Sequence, residues 1–169
     1  RVSSCLPNAA HFAVFELCNK LKSCVLITQN VDGLHRAAGS IEVLELHGNL
    51  YNMRCLDCNA ISENRQTTPE SLVCPVCSSR QVRPDVVRFG EAFRSFATNA
   101  ALTAIGECDV FLVIGTSGVV YPAAGFSVEV RRREGKVINI NPDISGGYPS
   151  DILWAEKASV ALPVIAALI

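Results

Sequence analysis

Two pairs of cysteines constrain the fold of this chain more than any other feature of its sequence. Two residues separate Cys55 from Cys58 and Cys74 from Cys77, and 15 residues lie between the pairs. At this spacing two short knuckles bring four thiolates to one tetrahedral zinc ion, whereas chance cysteines or a redox pair would not account for both pairs. Four thiolates leave no position for water, so the sequence predicts one structural Zn2+ site.

The remaining cysteines and the first residue bear on where the protein acts. The other four of the eight cysteines are scattered among apolar neighbours, which we interpret as the pattern of a reduced, intracellular protein. No signal peptide is visible and residue 1 is Arg, so we expect the natural N-terminus to lie upstream. Mitochondrial, cytoplasmic and nuclear locations all stay open.

Composition indicates one globular domain and excludes some partners. Of the 169 residues, 49% are hydrophobic and 18% are charged, which is typical of a packed core. The net charge of -1 gives no electrostatic case for direct nucleic-acid binding. Residues 110–128 are uncharged and 19 long, but a turn signal at Gly115–Gly118 favours a strand and a helix start over a membrane span.

Short apolar runs alternate with helical patterns along the chain. Strands are predicted at 24–28, 43–46, 86–89, 110–114 and 137–140, and helices at 8–22, 93–106, 123–133 and 162–169. This order predicts an α/β fold with a Rossmann-like parallel sheet. Residues 51–83 are polar and weakly periodic. We predict that they form a zinc-binding module inserted into a core made of residues 1–50 and 84–169.

Polar motifs follow the predicted strands at their carboxyl ends, where parallel sheets bind ligands. Gln29 and Asn30 follow one strand together with Asp32, and His47 follows the next. A third motif, Gly115-Thr116-Ser117, is by itself only a weak signal for phosphate or ribose. A lone histidine such as His47 is more often structural than catalytic, so its significance depends on these neighbours.

Taken in order, these motifs resemble the sirtuin family. The resemblance extends from Pro7 to Leu168 and implies NAD-dependent removal of acyl groups from protein lysine side chains, with nicotinamide and O-acyl-ADP-ribose as products. NAD and one Zn2+ ion are the implied cofactors, and acyl-lysine-bearing proteins are the implied partners. The segments that carry the resemblance are Pro7–His11, Thr28–His35, His47–Gly48, the paired cysteines, Arg83–Glu91, Gly115–Ser117 and Asn139.

The resemblance implies catalytic roles for the loop after the first strand. Asp32, with the Val31 backbone, would hold the nicotinamide carboxamide, and Gln29 and Asn30 would bind ribose hydroxyls and a water. The attacking group is a neutral amide oxygen, so no carboxylate nucleophile is required. His47 would act as general base on a ribose hydroxyl. The expected catalytic residues are therefore His47, Asn30 and Asp32.

The resemblance also implies contacts for the rest of NAD and for the substrate. The adenosine ribose would be held by Asn139, and phosphate or ribose by Gly115, Thr116 and Ser117. A substrate peptide would add as a strand beside residues 86–91, so that backbone hydrogen bonds supply affinity. The Val87 carbonyl would accept the lysine amide N–H and Phe89 would line the acyl-lysine tunnel. The expected substrate-binding residues are Val87, Phe89, Gly90 and Glu91.

Several aspects of function stay open at this point. The family's Gly-Ala-Gly-x-Ser and Pro-Asp-Phe-Arg segments, which cradle the NAD pyrophosphate and cover the ribose, are expected upstream of residue 1. Residues 119–126 look like the branch that removes acidic acyl groups such as succinyl or malonyl, although deacetylation is also open. The alternatives are NAD-dependent ADP-ribosyl transfer to protein and a catalytically silent zinc-containing scaffold. The sequence gives no oligomeric state.

Overall fold

The computed structural model describes residues 4–63, 72–88, 90–93, 95–118, 120–143 and 149–169. Within these ranges the helices are α1 (Ala9–Lys20), α2 (Leu34–Ala37), α3 (Ser95–Glu107), α4 (Phe126–Arg132) and α5 (Ala158–Leu168). The strands are β1 (Leu26–Thr28), β2 (Val43–Glu45), β3 (Gly48–Cys55), β4 (Ile61–Glu63), β5 (Val82–Val86), β6 (Val110–Ile114), β7 (Lys136–Ile140) and β8 (Ile152–Trp154).

Two parallel sheets form the middle layer of the fold. β1 pairs with β2, and β6, β7 and β8 pair in that order. Alternate residues of β1 and β6 enter the same two cores: Leu26 and Leu112 face one, whereas Ile27 and Phe111 face the other. A parallel sheet between two helical layers confirms the predicted Rossmann-like α/β class.

The two cores lie on opposite faces of this layer. On one face α1 packs against α5, and the buried residues are Ala10, Ala13, Val14, Leu17, Ile140, Ala161, Leu162 and Ala166. On the other face α3 and α4 cover Leu46, Val113 and Val137. Both faces of the parallel strands are therefore buried, which explains why these strands read as continuous apolar runs.

Helix α1 begins as predicted and buries Ala10, Ala13, Val14 and Leu17. The Asn8 side chain accepts a hydrogen bond from the Ala10 N–H at 3.0 Å, and His11 Nδ1 accepts one from the Asn8 N–H at 3.2 Å. This reciprocal cap satisfies N–H groups that the first helical turn cannot pair. Leu17 is buried, whereas Phe12 and Leu21 are 47% and 42% exposed. Smaller side chains form the contact with α5.

Some predicted boundaries are wrong for reasons of tertiary structure. The strand expected at 86–89 is β5, which ends at Val86 and runs antiparallel to β3 rather than joining the parallel layer. Helix α5 begins at Ala158, so Pro163 lies inside it instead of at its start. Burial of Ala161 and Leu162 against α1 stabilises this segment despite the proline. Strands β3, β4 and β8 were not predicted.

The antiparallel sheet, in the order β4-β3-β5, carries the cysteines. Strand β3 pairs with β5 from Gly48 opposite Val86 to Cys55 opposite Val82. The pairing shifts register between Asn49 and Met53, and β3 itself extends from the segment after His47 to the first cysteine knuckle. The division into a core and a module at 51–83 stays a prediction, and residues 64–71 of that module lie outside the described residues.

The scattered cysteines differ from expectation at one place. Cys18 and Cys24 form a disulfide, with their Cα atoms 5.0 Å apart. Helix α1 ends at Lys20 and the chain turns back towards β1, which brings the two side chains together. The expectation that both are reduced is wrong for this pair. Among the described residues, no helix combines the length and the apolar character that a membrane span needs.

Candidate active site

The loop after β1 is held on both sides by backbone hydrogen bonds. The Leu46 N–H donates to the Thr28 carbonyl at 3.0 Å, and the Leu50 N–H donates to the Val31 carbonyl at 2.9 Å. The Asp32 carboxylate accepts from the Leu34 N–H at 3.0 Å and so caps the start of α2. These contacts hold residues 29–33 against the end of β2 and the start of β3.

His47 lies directly after β2 with one ring nitrogen already committed. Its Nδ1 atom is 2.9 Å from the Gln29 carbonyl oxygen. A carbonyl only accepts, so Nδ1 carries the proton and Nε2 is left as the basic nitrogen of the neutral ring. The Phe93 ring lies beside the imidazole, with ring centroids 5.5 Å apart. This is the geometry of an oriented general base.

The Gly115-Thr116-Ser117 motif contacts the loop that follows β1. Gln29 Nε2 donates to the Thr116 hydroxyl at 3.5 Å, and Asn141 Nδ2 donates to the Thr116 carbonyl at 2.9 Å. Gly115 has a φ of +59° and no described atom lies within 4 Å of where its Cβ would be. The carboxyl ends of β1, β2, β6 and β7 therefore converge, with open space at Gly115 into which a ligand could fit.

Asn139 offers a buried polar atom to this edge. The residue is 5% exposed in β7, and its Oδ1 atom finds no hydrogen-bond partner among the described residues. Leaving a buried acceptor unpaired costs about 1–3 kcal/mol. A ligand hydroxyl that donates to Oδ1 would recover that energy. This orphaned oxygen fits the ribose contact expected from the sequence.

The segment after β5 presents most of the predicted substrate residues. The Val87 N–H donates to the His47 carbonyl at 2.9 Å, so Val87 is directly tied to the base. Both carboxylate oxygens of Glu91 accept from the Arg83 guanidinium at 3.0 Å. The Arg88 N–H and this guanidinium hold the pKa of Glu91 below its usual range. Phe89 lies outside the described residues, and Glu91 orders the turn that carries Gly90.

Two further histidines lie behind the loop. The rings of His11 in α1 and His35 in α2 have centroids 4.9 Å apart. Burial lowers the pKa of both side chains, and the His11 charge lowers that of His35 further, while Asp32 opposes both shifts. The pair therefore favours the neutral form.

The four paired cysteines converge as predicted. The sulfur of Cys55 is 3.6 Å from that of Cys77, the sulfur of Cys58 is 3.5 Å from that of Cys74, and all four lie within 4.8 Å of one another. Four thiolates around one zinc ion have sulfurs about 3.8 Å apart. The donor set fits one structural zinc ion.

Comparison with known proteins assigns the chain. The Sir2 family pattern matches residues 1–122. The chain belongs to the Sir2 family. The NAD-dependent protein deacylase of Thermococcus kodakarensis is 43% identical over 166 residues, covering 93% of this Sir2 chain and 64% of the relative. The chain therefore spans just under two thirds of that relative's length.

Solved Sir2 structures have the same fold. A Sir2 homologue in complex with NAD superposes with a TM-score of 0.88 at 37% identity, covering 99% of this chain and 66% of the homologue. A Sir2 protein in complex with a p53 peptide and NAD+ superposes with a TM-score of 0.84 at 28% identity. The match covers 99% of this chain and 72% of the chain of that Sir2 protein.

Within this Sir2 chain, some site residues were not expected from the sequence. Phe93 and Asn141 contact the strand-end site, yet neither belongs to a recognisable motif. The position of Asn141 directly after β7 is a weak indication that it belongs to the site, because the residues after the neighbouring strands were already predicted to belong to it. Nothing in the sequence distinguishes Phe93 from an ordinary core aromatic.

Proposed function

We propose that this chain carries the chemistry of an NAD-dependent protein-lysine deacylase. The observation that carries the proposal is the 2.9 Å contact between His47 Nδ1 and the Gln29 carbonyl at the converging strand ends. NAD, when bound, supplies a labile bond to nicotinamide and the ribose that takes up the acyl group. The name of the T. kodakarensis relative supports the same reaction.

The loop 29–33 would bind the nicotinamide end of NAD. One Asp32 oxygen accepts from the Leu34 N–H, so the carboxylate is oriented and its second oxygen can accept from the carboxamide N–H2. The Val31 backbone is fixed by the Leu50 N–H and would add a contact beside it. Gln29 and Asn30 would bind ribose hydroxyls and a water. Holding the reacting groups in this way lowers the entropic part of the barrier.

His47 would act as general base in the acyl-transfer step. With Nδ1–H bonded to the Gln29 carbonyl, Nε2 has the lone pair needed to take a proton from a ribose hydroxyl. Phe93 limits the rotation of the ring. Towards the other end of NAD, Gly115, Thr116 and Ser117 would contact phosphate or ribose, and Asn139 Oδ1 would accept from the adenosine ribose.

Acyl-lysine-bearing proteins are the proposed substrates. A peptide would pair as a strand with residues 86–91, and Val87 is already tied to the His47 carbonyl. Phe89, Gly90 and Glu91 would complete the substrate site. The Sir2 structure with a p53 peptide and NAD+ supports a protein substrate. A zinc site built from thiolates favours a reducing, intracellular location.

An acidic acyl group, succinyl or malonyl, is the proposed preference. The support is the sequence of residues 119–126, which is similar to the branch that removes such groups. Acetyl-lysine is the competing substrate. A side chain that binds the acyl carboxylate would make succinyl-lysine turnover faster than acetyl-lysine turnover.

The test is turnover of NAD with peptides that carry acetyl-, succinyl- or malonyl-lysine, followed by mass spectrometry of nicotinamide and O-acyl-ADP-ribose. We expect O-acyl-ADP-ribose from the wild-type chain and roughly 10²–10⁴-fold slower formation by His47→Ala. Label from NAD on protein would instead indicate ADP-ribosyl transfer. Absence of both products from this chain and also from a chain extended upstream with the NAD pyrophosphate segment would favour the scaffold alternative, whereas activity only in the extended chain would support the deacylase.

A further inference from the structure

One carboxylate joins three segments around the proposed base. Glu45 is the last residue of β2, and its side chain is only 10% exposed. Its Oε1 atom accepts from Arg36 Nε at 3.2 Å and from Asn49 Nδ2 at 2.6 Å. Hydrogen bonds to an ionised, largely buried acceptor are stronger than neutral ones. Neither contact was expected from the sequence.

Arg36 fastens α2 to the chain that leads into β2. Besides its bond to Glu45, the guanidinium donates to the Ile41 carbonyl at 3.0 Å and to the Val43 carbonyl at 3.4 Å. Helix α2 begins at Leu34, directly after Asp32 and Gly33. The position of Arg36 therefore sets the position of the proposed nicotinamide loop.

Asn49 contacts the proposed nicotinamide loop, residues 29–33, at Gly33. It is 5% exposed, and its Oδ1 atom accepts from the Tyr51 N–H at 2.9 Å. A Cβ added at Gly33 would lie 3.3 Å from the Tyr51 ring and 3.5 Å from Asn49 Nδ2. Gly33 has a φ of +69° and packs closely here, so the loop rests directly on Asn49 and Tyr51.

We propose that Glu45 is a positioning residue that sets the separation between the nicotinamide loop and the base His47. Glu45 and Asn49 lie two residues before and after His47. Through Arg36 the same carboxylate reaches the helix that Asp32 caps. One side chain thus sets the relative placement of Asp32 and His47. The inference rests on the proposed deacylase function.

The kinetic test uses Glu45→Gln, which keeps the shape of the side chain and removes its charge. Return of labelled nicotinamide into NAD requires the loop but not the base, whereas O-acyl-ADP-ribose formation requires both. We expect Glu45→Gln to lower both rates about tenfold, because small displacements of reacting groups are costly. The loss of nicotinamide exchange should persist in a His47→Ala background.

A matched control separates position from general charge loss. Glu129 pairs with Arg132 at 2.7 Å on α4, and Glu129→Gln should leave both rates unchanged. Both rates are measured well below the Tm of Glu45→Gln. If the rates of nicotinamide exchange and of O-acyl-ADP-ribose formation in this variant are within twofold of wild type, the proposal is overturned. A loss confined to acyl transfer would also overturn it, since the loop would then be unaffected.

Hydrogen exchange tests the same proposal without turnover. The Leu34 and Leu50 amides bond to Asp32 and Val31, whereas the Gly115 amide bonds to Ile140 across the sheet. We expect Glu45→Gln to lose protection at Leu34 and Leu50 and to keep it at Gly115. Retained protection at the loop would refute the positioning role. Loss of protection in Glu45→Gln, together with no NAD turnover by the wild-type chain, would refute the proposed function and leave the positioning role standing.

Discussion

At the scale of single residues, His47 owes its chemistry to a backbone atom. The Gln29 carbonyl fixes the proton on Nδ1 at 2.9 Å, so no carboxylate is needed to set the tautomer. The resemblance implied His47 as a general base, a role that stays a prediction, but it did not reveal that the partner of the ring is a main-chain oxygen. Every residue has a backbone carbonyl, so the sequence does not show which one accepts from His47, and only the structure identifies it.

Replacing this imidazole should separate the two chemical steps. We expect His47→Ala to slow O-acyl-ADP-ribose formation by roughly 10²–10⁴-fold, the usual contribution of a positioned acid or base. Exchange of labelled nicotinamide into NAD should stay within a few-fold of wild type. Asp32→Ala serves as the comparison, because it should impair exchange itself. Equal loss of both activities in His47→Ala would contradict the assigned role.

The pair His11 and His35 predicts how stability depends on pH. Both pKa values are lowered by burial, and that of His35 also by the His11 charge. The unfolded chain therefore binds more protons as the pH falls, so this contribution to stability is fully present above pH about 6.5 and is lost below it. Melting temperatures between pH 8 and pH 5 measure the loss.

His35→Gln should flatten this pH dependence. Identical profiles for wild type and His35→Gln would show that the pair does not control acid sensitivity.

At the scale of elements, helix caps and apolar runs in the sequence predicted the start of α1 and the parallel strands. The Asn8 cap starts α1, and the apolar runs of β1, β2, β6 and β7 form the parallel layer. Strands β4 and β8 span only three residues each and lack buried runs, so periodicity could not reveal them. The direction of β5 depends on its pairing with β3, which is a non-local contact.

The cysteine-bearing sheet should depend on its ion. We expect Cys58→Ser or a strong chelator to remove the zinc and to lower the Tm, because a closed four-thiolate site contributes folding energy directly. Native mass spectrometry gives the zinc content per chain. Cys108→Ser is the matched control, since Cys108 lies outside the cluster and should leave the zinc bound. Full stability without zinc would contradict a structural role.

At the scale of the whole molecule, the contact between α1 and α5 joins the two ends of the described chain. Leu162 is fully buried in that contact, and Lys20 Nζ donates to the Ala166 carbonyl at 2.7 Å. Deleting a buried leucine leaves a cavity as well as losing apolar burial. Leu162→Ala should therefore lower the free energy of unfolding by about 2–5 kcal/mol, as measured by urea titration.

A leucine on the same helix provides the control for that measurement. Leu168 is 81% exposed, and Leu168→Ala should change the free energy of unfolding by less than about 0.5 kcal/mol. Comparable losses in the two variants would mean that α5 does not pack on α1 as described.

Strands β3 and β5 run side by side from the catalytic edge to the cysteine knuckles. At one end Gly48 pairs with Val86 beside His47 and Val87, and at the other Cys55 pairs with Val82. We expect a ligand that orders one end of this ribbon to restrict the other end as well. The two equilibria are then linked, and thermodynamic reciprocity requires equal effects in both directions. Whatever factor zinc adds to the affinity for an acyl-lysine peptide, the peptide adds to the affinity for zinc.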